Sequence, residues 1–148
     1  MNAARWKPNV TVAAVIERDG RYLLVEETAV QGTVLNQPAG HLEAGETLVQ
    51  AVVREVLEET AHAFTPTHLL GVYLAPGEVT YLRFAFVGTV EGPLPGRALD
   101  AGIVRAAWLT PQAIAAERGR HRSALVARCI ADHQAGIRHA LSLLQGVG

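Results

Sequence analysis

Gly40-His-Leu-Glu-Ala-Gly-Glu46 followed by Thr47-Leu-Val-Gln-Ala-Val-Val-Arg54-Glu55-Val-Leu-Glu58-Glu59-Thr-Ala-His62 is the stretch on which the reading of this chain turns. Its second half predicts a helix starting at Thr47. Thr47-x-x-Gln50 has the capping-box pattern, in which hydroxyl and amide satisfy orphan N–H groups at the helix start. Leu48, Val49, Val52, Val53 and Val56 supply the apolar side. Glu55, Glu58 and Glu59 are three and four residues apart, so three carboxylates crowd one face and repel by a few tenths of ~1 kcal/mol per pair. A bound divalent cation is the simplest compensation, because hard ions take oxygen ligands and recruit substrate phosphates. Arg54 is placed to orient Glu55 through a charge-assisted hydrogen bond. Just upstream, Gln37-Pro-Ala-Gly40 begins a loop whose glycines, Gly40 and Gly45, permit close approach of backbone to a phosphate or metal.

Working outward, Val10–Ile16 is β-branched and mostly apolar, as a strand buried on both faces would be. Asp19-Gly20 signals a two-residue hairpin, with Tyr22–Val25 as the return strand running into Glu26-Glu27. Residues 28–46 read as a loop rich in Gly and Pro, and Pro66 as the close of the helical section. Strand patterns lie near His68–Leu74 and Thr80–Val90. In the second, Leu82, Phe84 and Phe86 alternate with Tyr81, Arg83 and Ala85, so Arg83 faces away from the phenylalanines. Ile103–Leu109 is a last strand. Thr110-Pro111 starts a helix, and another starts at Ser123 and ends near Gly136. The expected class is α+β: a single domain over residues 1–148, with a mixed sheet packed between helices as an α/β/α sandwich.

Composition narrows the partners. The 148 residues are 49% apolar and 18% charged, which excludes a disordered or low-complexity chain. Thirteen Lys and Arg against fourteen Asp and Glu give a net charge of −1, so a nucleic-acid partner is disfavoured. No apolar run approaches the ~20 residues of a membrane span. The polar N-terminal stretch Met1–Val10 has no signal-like apolar core, and the lone Cys129 requires no oxidising compartment. A cytoplasmic domain, monomeric or a small homo-oligomer, is the expectation.

The spacing of Gly40, Glu46 and Arg54-Glu55-Val56-Leu57-Glu58-Glu59 resembles the Nudix box, Gx5Ex7REUxEExGU, with U a bulky aliphatic residue. The match spans residues 40–62 and departs at two positions: Ala61 replaces the family's glycine and His62 its aliphatic residue. Glycine there is expected to end the helix in left-handed geometry. Alanine is strained by roughly 1 kcal/mol in that conformation, so a longer helix is the alternative. Lys7–Val12, Val25–Thr28, Asn36–Glu43, Tyr81–Phe84, Trp108 and His121–Gly136 are similar to a narrower branch, the NudJ-type phosphatases.

The resemblance implies hydrolysis of a phosphoanhydride by water attack on phosphorus, with Mg²⁺ as cofactor and Mn²⁺ as a possible substitute. Branch substrates are thiamine-precursor pyrophosphate, thiamine pyrophosphate and nucleoside di- or triphosphates. Carried over by position, Glu55, Glu58 and Glu59 ligate metal together with the Ala39 carbonyl, Arg54 holds Glu55, and Glu46 supports the loop or reaches the metal through water. The general base is read first as Glu55, with Glu78 and Asp100 as loop alternatives. From position alone, Arg83 is a candidate for substrate phosphate and Gln37 for a base or pyrimidine; the bland alternatives are a cross-strand salt bridge and a loop hydrogen bond. Competing readings are a MutT-like house-cleaning nucleotide pyrophosphatase, a dinucleoside polyphosphate hydrolase, and a non-catalytic ligand sensor.

Overall fold

The computed structural model describes residues 4–147; Met1–Ala3, at the start of the polar N-terminal stretch, and Gly148 lie outside the described residues. Strand β1 (Asn9–Val15) runs through the middle of a four-stranded sheet. A two-residue turn then joins β2 (Glu17–Arg18) to β3 (Arg21–Ala29), with Asp19 at φ 51° and Gly20 at φ 78°, as the Asp-Gly pair predicts. Next come β4 (Gly32–Asn36) and β5 (Ala39–His41), then helix α1 (Leu48–Thr60). The long strands β6 (Ala63–Ala75) and β7 (Tyr81–Glu91) form a hairpin, followed by β8 (Ile103–Leu109), α2 (Pro111–Ala116) and α3 (Leu125–Gln134).

The first sheet has the order β5-β1-β7-β6 and is mixed: β7 lies parallel to β1, while β5 and β6 are antiparallel to their neighbours. Period-2 alternation divides its residues between two cores. Val12, Ala14 and Phe86 pack with Ala51, Val52 and Val56 of α1, whereas Val15, Ala85 and Val87 pack with Val126, Cys129 and Ile130 of α3. A second, antiparallel sheet of β2, β3, β4 and β8 contributes Leu23 to the first core and Tyr22 and Leu24 to the second. The expected mixed sheet between helices is therefore present, with a second sheet beside it. No helix among the described residues is long and apolar enough to cross a membrane.

Two local expectations change, and one left open is decided. The predicted loop over 28–46 contains two strands: β3 continues to Ala29 and turns back into β4, pairing Glu27 with Val34 and Thr28 with Thr33, before β5 joins β1. Pro66 does not close an element. It lies inside β6, at a register shift, on a sheet edge where its missing N–H is not needed. The helix end is resolved in favour of termination, because Ala61 adopts φ 58° and its N–H still donates to the Leu57 carbonyl at 3.0 Å.

Candidate active site

The capping box at Thr47 forms as its spacing predicts: the Gln50 N–H donates to Thr47 Oγ1 at 3.0 Å and the Thr47 N–H to Gln50 Oε1 at 2.9 Å. This fixes where α1 begins and so the direction in which its acidic turn points. Arg54 is the hub of that turn. It donates through Nε and Nη2 to both oxygens of Glu46, at 2.6 and 2.9 Å. Its Nη1 reaches Glu55 at 2.6 Å and Glu58 at 2.8 Å, and Nη2 also reaches the His41 carbonyl at 3.0 Å. Glu46 in turn accepts from the Glu43 N–H at 2.9 Å, tying the loop to the helix. The hydrogen bonds from Arg54 hold the Glu46 carboxyl below the usual carboxylate range.

Carboxylates outnumber cations here. Glu59 is 7% exposed, and its only protein hydrogen bond among the described residues comes from the Ala39 N–H at 3.0 Å. Desolvation pushes its carboxyl up to about 8, with the charges of Glu27, Glu55 and Asp100 adding to the effect. Burial also raises Glu55, against the opposing pull of Arg54. The Glu55 carboxylate lies directly against the backbone of β5. A Cβ built on Gly40 would overlap it, so glycine here makes room for a side-chain carboxylate.

Glu55 and Glu59 open onto a cavity of about 460 Å³, lined also by Thr11, Ala39, Gly40, Tyr81 and Arg83. Glu58 does not line it; it stays beside Arg54 with its side chain 27% exposed. Among the described residues no three His, Cys, Asp or Glu side chains already converge as a closed metal cage. The donor set nevertheless fits a hard divalent ion: a buried carboxylate with no cationic partner among the described residues, a second one cradled at Gly40, and a roomy cavity beside both.

Arg83 enters the cavity from β7 and is 5% exposed. Its guanidinium donates to Gln37 Oε1 at 3.0 Å and Asn36 Oδ1 at 3.2 Å, with Cys129 Sγ at 3.8 Å. All three acceptors are neutral side chains. The expected alternative of a cross-strand salt bridge is not found: among the described residues no carboxylate lies within ion-pair distance of it. Of the two readings of Gln37, ligand contact and structural hydrogen bond, the structure shows hydrogen bonds. Gln37 is 1% exposed, its Nε2 donates to the Val126 carbonyl at 2.9 Å and its Oε1 accepts from Arg83, so both ends of the amide are engaged in holding Arg83.

Of the loop acids, Asp100 is exposed and its N–H donates to the Glu58 carbonyl at 2.9 Å, which sets it beside the acidic turn. Glu78 is exposed and does not line the cavity. Sequence reasoning gave no site role to Tyr81, Arg122, Ser123 or Leu125, all of which line the cavity. The signal available was the His121–Gly136 segment, whose meaning depends on how α3 docks.

Comparison with known proteins fits this geometry. The model of the NUDIX domain matches residues 6–128. Phosphatase NudJ of Escherichia coli K12 is 40% identical over 141 residues, covering 94% of this chain and 92% of its own. Among solved structures, a NUDIX hydrolase from Nitrosomonas europaea superposes with a TM-score of 0.93 at 54% identity, covering 95% of this chain and 98% of its own. A MutT protein from Methanosarcina mazei Go1 shares the fold at a TM-score of 0.72 and 20% identity, over 90% of this chain and 99% of its own. The chain belongs to the Nudix family. Within it, this protein is a hydrolase acting on phosphoanhydride bonds of small phosphate compounds, similar to phosphatase NudJ. Nudix hydrolases generally use divalent metal ions.

Proposed function

We propose that the protein is a Mg²⁺-dependent phosphatase of small-molecule di- and triphosphates, taking thiamine-precursor pyrophosphate, thiamine pyrophosphate and nucleoside di- or triphosphates. The observation that carries this reading is the pairing of a buried carboxylate lacking a cation, Glu59, with a buried guanidinium lacking an anion, Arg83, around one cavity. A metal–phosphate unit satisfies both.

Glu55, Glu58 and Glu59, with the Ala39 carbonyl, would hold the ion. Bound there, Mg²⁺, or Mn²⁺ in its place, would supply the positive charge that offsets the phosphate oxygens in the transition state. Arg54 keeps Glu55 and Glu58 from splaying, through the two Nη1 contacts, and Glu46 locks Arg54 in turn. Glu55 accepts the proton of the attacking water as the new O–P bond forms and the bridging P–O bond breaks. Arg83 holds a substrate phosphate, with Asn36 and Gln37 fixing its fork.

The test is a substrate panel with Mg²⁺, reading released products. Orthophosphate from a diphosphate ester supports the proposal. Pyrophosphate release from a nucleoside triphosphate would favour a house-cleaning pyrophosphatase instead, mononucleotide release from a dinucleoside polyphosphate a dinucleoside polyphosphate hydrolase, and inactivity across the panel a ligand sensor.

A further inference from the structure

Glu26 and Glu27, at the end of β3, are met by three arginines, and only one of them reaches the cavity. Arg105 is committed to Glu26 by two hydrogen bonds of 3.2 Å. Arg120 is held by Glu117, Thr33 and Glu26. Arg122 makes a single side-chain bond, Nη1 to Glu27 Oε2 at 3.2 Å, and its side chain is 48% exposed. Its backbone is nonetheless fixed. The Arg122 N–H donates to the Leu35 carbonyl at 2.8 Å, and His121 forms a bridge to Leu35 and bonds the Ile114 carbonyl. A rigid base therefore carries a guanidinium whose Nε and Nη2 have no protein partner among the described residues. Arg122 and Arg83 line the same cavity, and Glu27 lines it with them, feeling both positive charges.

We propose that Arg122 and Arg83 form a second phosphate subsite at the α3 side of the cavity. Here Arg122 exchanges its Glu27 contact for a substrate phosphate, while the neighbouring phosphate lies at the Glu55–Glu59 end. The ligand chemistry is that of a diphosphate: two linked tetrahedral anions, one bound at each end of a cavity of about 460 Å³. Two guanidiniums, one of them buried among neutral partners, suit a phosphate dianion better than a singly charged carboxylate. Glu27 serves as the internal anion that occupies Arg122 between turnovers. This subsite rests on the function proposed above, because it assumes that the cavity takes a phosphoanhydride.

The competing explanation is that Arg122 only neutralises Glu27, and a double-variant cycle separates the two. The protein, with chelator and no divalent ion, is titrated with inorganic pyrophosphate, and KM for a diphosphate ester is measured in parallel with Mg²⁺. Arg122→Gln is expected to raise the pyrophosphate Kd about tenfold, as loss of a charge-assisted contact should, with the kinetic loss falling on KM. Glu27→Gln is expected to tighten pyrophosphate binding, since an anion leaves the cavity and Arg122 is released, and Glu27→Gln/Arg122→Gln to bind about tenfold more weakly than Glu27→Gln. A double variant that binds as tightly as Glu27→Gln overturns the proposal, as does unchanged affinity in Arg122→Gln or no pyrophosphate binding by the wild type. Binding with this pattern in a protein that hydrolyses nothing on the panel would leave the subsite standing and remove the phosphatase reading alone.

Discussion

Replacing Glu59 by Gln should make the metal-free protein more stable at pH 8 and leave it almost unchanged at pH 5. Glu59 is 7% exposed, and burial pushes its folded-state carboxyl up to about 8 from an ordinary 4.5. A group whose folded value is raised contributes stability that is complete below about 4.5 and lost as pH climbs through about 8. At 1.36 kcal/mol per unit the loss approaches about 4 kcal/mol by pH 8, a large share of the ~5–15 kcal/mol available to a domain. Gln keeps an oxygen to accept the Ala39 N–H, now 3.0 Å from Glu59 Oε1, so the substitution removes the charge and little else. The assay is urea unfolding with chelator present, for both proteins at pH 5 and pH 8. The variant should gain a few kcal/mol over wild type at pH 8, and millimolar Mg²⁺ should shrink that gap by stabilising the wild type alone. Equal stabilities at pH 8, or a variant weaker at both pH values, would refute the reasoning.

Glu58→Gln and Glu59→Gln should each lower kcat by at least ~10²-fold in steady-state hydrolysis, because each removes charge that holds the ion. Gly40→Ala should lower kcat by about 10²-fold: the nearest atoms the new Cβ meets are those of the Glu55 carboxylate, which must leave its place. Arg83→Ala should raise KM for diphosphates about tenfold or more and lower stability by about 1–3 kcal/mol, since Asn36 and Gln37 lose their partner. Unchanged KM and kcat for every diphosphate would remove Arg83 from the site. His133 is half-buried beside Tyr22, which it meets at 2.7 Å, and desolvation lowers its imidazole from the ordinary 6.5. The stability of this desolvated neutral imidazole is complete above about pH 6.5 and lost as pH falls through the lowered value, so His133→Gln should flatten unfolding profiles on the acidic side.

Local signals in the chain were readable, and those made by distant pairing were not. The α1 start followed from Thr47 and Gln50, and the β2–β3 turn from Asp19 and Gly20, because each is decided within four residues. Arg83 was assigned to its face of β7 by simple alternation. Strands β4 and β5 escaped because they are short, sit among Gly and Pro, and owe their existence to β3 and β1. The carboxylates of the box were legible by spacing, whereas the division between Glu55 and Glu59 at the cavity and Glu58 outside it depends on Arg54. Gln37 read as a loop residue that either meets a ligand or makes a loop hydrogen bond. It is buried because α3 docks over it and offers the Val126 carbonyl, a contact 89 residues away in sequence. The same docking brings Arg122 and Ser123 to the cavity, which no local pattern near them announces.

The most direct measurement is Mn²⁺ binding followed by electron paramagnetic resonance, in which the signal of the free aqueous ion falls as protein takes it up. Wild-type protein should deplete that signal saturably and give it back on addition of excess Mg²⁺, while Glu59→Gln should deplete it at least about tenfold more weakly. Equal uptake by the two proteins, or none by either, would contradict a cation site at Glu55, Glu58 and Glu59.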